Sequence, residues 1–186
     1  MTTVFYTASS LDGFIATAQH RLDWLLRRDV DPDGPMGYNA FARSVGALVM
    51  GAATYEWVLA HDKGWAYTQP TWVLTHRTLP QRAGADVRFA YGDVRRVHKQ
   101  MTKAAGGRDL WVVGGGDVAG QFAVAGLLDE VWVQFAPVTL GAGFPFMPLA
   151  LELELLEVAR NRDFLCGRYG VVGAPGTLDS FDAEDA

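Results

Sequence analysis

Three consecutive glycines, Gly114, Gly115 and Gly116, separate an apolar run (110–113) from a stretch with helical periodicity, a placement suited to holding an anion. A helix N-terminus leaves its first backbone N–H groups without intrahelical acceptors, and the helix dipole favours negative charge there. Glycine lets an anion touch those amides and tolerates the positive φ that such turns often demand. Asp117 caps or opens the following helix, whose apolar stripe is Val118, Phe122 and Ala125. The chemistry implied is the cradling of a phosphate.

The run also matches Gly114-x-Gly116-x-x-Ala119, the spacing of a dinucleotide fingerprint. That fingerprint normally follows the first strand of its domain. Here it lies past residue 110, with too little chain behind it for a second mononucleotide half, so a standard Rossmann arrangement is not expected. A glycine turn that merely packs a helix on a sheet is the alternative. The four histidines, His20, His61, His76 and His98, show no ligand spacing, so no metal site is expected. Cys166 is the lone cysteine and lies in an apolar run, as a buried inert thiol would.

The elements that must position these residues alternate in type. Residues 4–9 read as a first strand that ends at the turn signal Asp12-Gly13. A long loop over 18–36 is rich in charge, Pro and Gly, with Trp24 anchoring it by burial or lying over a ligand. A short helix over 38–44, a strand over 47–50 and a helix from Gly51 to about residue 60 make a second strand-glycine-helix junction. A strand over 71–74 ends in Thr75-His76-Arg77, and 87–90 forms a further strand. Between 93 and 105, Val94, Val97, Met101 and Ala104 take helical spacing, with Arg95, Arg96, Lys99 and Lys103 on a solvated face. After the glycine helix come a strand over 130–136, a Gly/Pro turn over 140–145, and paired strands over 153–160 and 164–172. This order predicts an α/β fold, a mixed and mostly parallel sheet with helices on both faces and a C-terminal antiparallel hairpin.

With 186 residues, the chain suits a single domain over 1–173, followed by an acidic, flexible tail over 174–186. A net charge of −5 argues against a nucleic-acid partner, and no apolar run is long enough to span a bilayer. The expectation is a cytoplasmic protein with a small-molecule substrate.

Five stretches carry a family resemblance: Ser10-Leu11-Asp12-Gly13-Phe14-Ile15-Ala16; Leu48-Val49-Met50-Gly51-x-x-Thr54-Tyr55-Glu56; Val73-Leu74-Thr75-His76-Arg77; Gly114-Gly115-Gly116-Asp117-Val118 with Gln121-Phe122; and Pro137-Val138-x-Leu140-Gly141-x-Gly143 with Phe144-Pro145. In that order, over about residues 3–172, they resemble the dihydrofolate reductase fold. The similarity is greatest to the branch holding the reductase domain of bifunctional riboflavin-synthesis enzymes and its stand-alone relatives. The resemblance implies a three-layer fold, NADPH as cofactor and a homodimer. It implies that Gly114, Gly115, Gly116, Asp117 and Val118 lie against the pyrophosphate and that Gly51 and Thr54 serve the same phosphates. It further implies that Thr75, His76 and Arg77 receive the adenosine 2′-phosphate, a role that suits guanidinium and hydroxyl donors.

Two departures bear on activity. Where many dihydrofolate reductases carry Arg-Lys inside the Gly-x-x-Thr motif, this chain has Ala52-Ala53, so selection of NADPH rests on Arg77 and His76. Four residues before Phe41, where dihydrofolate reductases place a carboxylate, stands Gly37, and Asp31 or Asp33 substitutes only if the loop folds inward. A positioned acid aids protonation during hydride transfer, so folate reduction is disfavoured. The phosphorylated pyrimidine of riboflavin synthesis calls for a basic cluster after the Gly-x-x-Thr helix, where only His61 and Lys63 stand. The resulting expectation is a reductase passing hydride from NADPH to a small nitrogen heterocycle or imine, with Ala8, Trp24, Tyr38, Phe41, Tyr55 and Gln134 lining the substrate pocket, though each aromatic suits the core equally. A nucleotide-binding protein without turnover, a divergent dihydrofolate reductase and a structural dimer are the alternatives.

Overall fold

The computed structural model describes residues 1–61 and 64–173; Lys63 and the tail over 174–186 lie outside them. In chain order the elements are β1 (Thr3–Ser10), β2 (Phe14–Ala16), α1 (Asp23–Leu26), α2 (Tyr38–Ser44), β3 (Val45–Gly51), α3 (Ala52–His61), β4 (Thr71–Leu74), β5 (Val87–Ala90), α4 (Val94–Ala105), β6 (Asp109–Gly114), α5 (Gly116–Val124), β7 (Glu130–Ala136), β8 (Phe144–Pro145), β9 (Leu153–Asn161) and β10 (Phe164–Val171). Eight strands form one sheet in the order β5-β4-β3-β6-β1-β7-β10-β9. All neighbours from β5 to β7 are parallel, and β10 closes antiparallel on β7 and β9.

Strand period two sends alternate residues to opposite faces, and different helices cover each. On one face Phe5, Val49, Val112 and Val131 meet Val97 and Met101 of α4 and Val118 and Phe122 of α5. On the other, Tyr6, Leu48 and Trp111 meet Phe41 of α2, and Met50 and Val73 meet Tyr55 of α3. The helix α4 follows its sequence pattern: Asp93 caps it through the Arg95 N–H, Gly106 ends it in the left-handed region, and its four basic residues face solvent.

Two local features depart from the sequence reading. The loop over 18–36 contains the short helix α1, which buries Trp24. A second, two-stranded sheet joins β2 to β8. At two and three residues these strands are too short to show an alternating pattern.

Candidate functional site

Because β3, β4 and β6 are parallel neighbours, the junctions after them open along one edge of the sheet. Met50 pairs with Gly114, bringing the starts of α3 and α5 side by side. A β-carbon on Gly51 would sit 3.3 Å from Val118 Cγ2 and 4.0 Å from the Gly115 nitrogen, and one on Gly114 would sit 3.3 Å from Thr54 Oγ1. Gly51, Thr54, Gly114, Gly115 and Val118 therefore form one contact group, drawn from segments 60 or more positions apart in the chain.

The three glycines differ in task. The peptide between Gly114 and Gly115 is cis. Gly115 is the N-cap of α5 at φ −82°, so the expected need for positive φ does not hold at this position. What its missing side chain leaves is space: a β-carbon there would meet only Ile15 Cδ1, at 3.7 Å. A β-carbon on Gly116 would run into the carbonyl oxygens of Pro145 and Phe146, so that glycine is a packing residue. The first turn closes with the Val118 N–H donating to the Gly115 carbonyl at 3.0 Å, and the amides before it are those a helix leaves without an internal acceptor. Asp117 is exposed in that turn and is not the cap. Its charge suits the positive end of the dipole.

A latch holds the segments beside this turn. The Asp12 carboxylate accepts hydrogen bonds from the Ser10 hydroxyl and from the Leu140 and Gly141 amides (2.9 and 2.7 Å), which hold its pKa below the usual carboxylate range. The Phe146 N–H donates to the Gly13 carbonyl at 2.9 Å, and β2 pairs with β8. The Asp-Gly and Leu-Gly motifs thus tie the loop after β1 to the loop after β7, with Ile15 beside Gly115.

At the third junction, the Thr75 hydroxyl accepts the Arg77 N–H at 3.0 Å and the His76 ring lies 5.5 Å from that of Tyr91. The resemblance gives Arg77, with Thr75 and His76, to the adenosine 2′-phosphate. The Arg77 fork meets the Glu56 carboxylate of α3 with both nitrogens, Nη1 to Oε1 at 3.1 Å and Nη2 to Oε2 at 2.7 Å. The two side chains are 57% and 43% exposed.

A second region lies on the opposite sheet face around Tyr6. Ala8, Gln134 and Cys166 stand in register across β1, β7 and β10. Gln134 Nε2 donates to Tyr6 Oη at 2.7 Å and to the Met36 carbonyl at 3.0 Å, and Tyr6 Oη donates to the same carbonyl. Phe41 stacks on Tyr6 at 4.4 Å between ring centroids, Trp111 packs edge-on to both, and Tyr38 lies 5.8 Å from Trp111. Trp24 is buried with Ala8, Met36 and Cys166. Burial raises the pKa of Tyr6 and Tyr38, so both hydroxyls hold their protons at neutral pH, and it raises that of the Cys166 thiol. Five of the six pocket candidates gather here. Tyr55 does not: it is fully enclosed and donates to the Pro80 carbonyl at 2.8 Å, leaving no surface for a ligand.

Neither aspartate of the preceding loop supplies an acid to this region. Asp31 Oδ1 accepts the Asp33 N–H, the Asp31 backbone pairs with Asn161, and Asp33 accepts from Asn39 Nδ2. At Gly37 any β-carbon would strike the carbonyl oxygens of Pro32 and Gly34, so the backbone forbids a side chain where the resemblance places a carboxylate. Tyr6, Met36 and Trp111 were absent from the sequence-derived pocket; the alternation of Val4, Tyr6 and Ala8 along β1 was the available signal.

The model of the RibD C-terminal domain matches residues 65–162, more than half of the chain and inclusive of two of the three junctions. The chain belongs to the RibD C-terminal domain family. YwjB, an uncharacterized protein of Bacillus subtilis, is 30% identical over 154 residues, or 82% of this chain and 87% of that protein. The solved structure of a Shewanella sp. PV-4 protein with a suggested role in riboflavin biosynthesis aligns with 93% of this chain and all of its own, at 27% identity and a TM-score of 0.79. Enterococcus faecalis dihydrofolate reductase, solved with NADP(H) and RAB-propyl, aligns with 91% of this chain and 94% of its own at a TM-score of 0.58 and 17% identity, a likeness of fold alone. This RibD C-terminal domain protein therefore has a dihydrofolate reductase-like, reductase-type fold. Among its described residues no helix is long and apolar enough to cross a membrane.

Proposed function

We propose that this protein is an NADPH-dependent reductase that passes hydride to a flat, nitrogen-containing ring or an imine. The observation that carries the reading is the open space at Gly115, where a β-carbon would meet only Ile15 Cδ1, at the first turn of α5, which fits a pyrophosphate reached by backbone amides. Gly114, Gly115, Gly116, Asp117 and Val118 contribute that turn, and Gly51 and Thr54 the adjoining helix start. Thr75, His76 and Arg77 face the adenosine end. NADPH, when bound, supplies the hydride.

The acceptor half is the cluster of Ala8, Trp24, Tyr38, Phe41 and Gln134 around Tyr6. Its rings exclude water from one side of a flat acceptor, and Tyr38, 38% exposed, gives that acceptor a surface to lie on. Tyr6 Oη and Gln134 Nε2 bind one another and the Met36 carbonyl, keeping the loop end closed onto the sheet. With Asp31 and Asp33 engaged elsewhere and Gly37 barred from carrying a side chain, the proton that follows hydride comes from water that reaches the acceptor's exposed edge. This favours acceptors more easily protonated than folate. A homodimer fits the outer strands, where Leu155, Val158 and Leu165 are 57%, 62% and 52% exposed.

Thermal unfolding with NADPH tests the reading, since a ligand held only by the native state at one hundred times its Kd stabilises by about 2.7 kcal/mol. Cofactor oxidation with a panel of pterins, pyrimidines and quinone-like acceptors separates reductase from binding protein. Binding without oxidation of any acceptor supports the module without turnover, and no shift at millimolar NADPH overturns both.

A further inference from the structure

We infer that Glu56 is a specificity-determining residue that competes with the adenosine 2′-phosphate for Arg77 and so narrows the preference for NADPH over NADH. The inference rests on the reductase reading above, in which Thr75, His76 and Arg77 face the adenosine end of the cofactor.

The geometry is that of a completed fork. Both terminal nitrogens of Arg77 are engaged by the two oxygens of one carboxylate, the arrangement a phosphate monoester would itself seek. Glu56 stands on α3, just beyond the Thr54 that touches Gly114, so its charge is held beside the cofactor groove by a helix. A phosphate arriving at Arg77 must displace the carboxylate or share the guanidinium with it, and two anions on one cation repel. A cofactor without that phosphate meets no such conflict. Its free 2′-hydroxyl finds in Glu56 an acceptor, the partner that carboxylates supply to this hydroxyl elsewhere. Ala52 and Ala53 add no second cation at this helix start. A carboxylate that penalises one ligand while welcoming the other is selection by repulsion as well as attraction.

The test is calorimetric titration of NADPH and NADH into wild type, Glu56→Gln, Arg77→Gln and the double variant. Glu56→Gln keeps the shape and removes the charge at an exposed position. It is expected to tighten NADPH roughly tenfold while changing NADH by less than about twofold or weakening it, and the gain should shrink in high salt. In the Arg77→Gln background the same change should give no NADPH-specific gain. Equal effects on the two cofactors, or weaker NADPH binding in Glu56→Gln, overturn the inference and make Glu56 a residue that positions Arg77. Failure of wild type to bind either cofactor overturns the reductase reading together with the inference.

Discussion

The edge proposed to hold the nucleotide and the cluster proposed to face the acceptor are built from different materials. Along the edge of β3, β4 and β6 the working groups are backbone amides and the absence of side chains, and three neighbouring strands place them. Around Tyr6 the working groups are side chains delivered by β1, α1, α2, β6 and β7, locked by hydrogen bonds to one carbonyl, that of Met36. A backbone site tolerates variation of side chains around it, so a family can keep it while exchanging the acceptor half. The glycines of this chain fit the resemblance closely, whereas its acceptor half lacks the acid of dihydrofolate reductases and bars one at Gly37 by backbone contact.

The sharpest break of this comparison is Gly115→Val. A branched side chain fills the open space, so NADPH binding should weaken at least about a hundredfold by calorimetry while the protein unfolds in urea near the wild-type midpoint. Gly116→Ala should do the reverse, costing roughly 3 kcal/mol of stability in the same urea experiment because its β-carbon meets the backbone at Pro145. If the two variants behave alike, the glycines do not divide space from packing as described.

Smaller effects probe the side chains. Arg77→Ala should weaken NADPH by about 1.5 kcal/mol, near the lower end for a charge-assisted bond because Glu56 already occupies the fork, and leave NADH almost unchanged. In the acceptor half, Gln134→Leu removes the donor to Tyr6 Oη and should cost about 1 kcal/mol in thermal unfolding, with faster proteolysis of the loop ending at Met36.

The smallest effect is one of pH. Arg168 lies over the Trp132 ring and grips Glu130 at 2.8 and 2.9 Å, holding the Glu130 pKa below its ordinary 4.5. A depressed carboxylate contributes stability that is present above the unfolded value and lost as pH falls through the folded one. Melting temperature should therefore drop on acidification below about pH 4.5, by an amount worth roughly 1 kcal/mol or less, since the pair is partly solvated. The drop should be shallower in Arg168→Met, and an identical slope in both proteins would assign it to other carboxylates.

Much of the fold was legible because the signals were local. Strands β4, β5 and β7 and helix α2 fall where periodicity and turn residues put them, since four to seven residues of apolar run or helical spacing suffice. The β2–β8 pair was not legible, because two short segments 128 or more positions apart carry no pattern of their own, and the Asp12 bond to the Leu140 amide that accompanies their pairing is equally long-range. The same distinction divides the site. The composition of the glycine junctions was read from sequence, and of the pocket candidates named there Ala8, Trp24, Tyr38, Phe41 and Gln134 come together around Tyr6, whereas the enclosure of Tyr55 in a separate core depends on the side of the sheet on which α3 packs.

By itself, the sequence determined the strand-glycine-helix junctions, the order of elements and the lack of an acid at position 37, because each depends on residue type within a few positions. Tertiary structure alone decided that Gly115 is open while Gly116 is sealed, that Arg77 is held by Glu56 and that the pocket candidates other than Tyr55 gather around Tyr6. Those outcomes turn on distances between side chains and backbone 21 to 128 positions apart, which only the packing of the sheet and its helices sets.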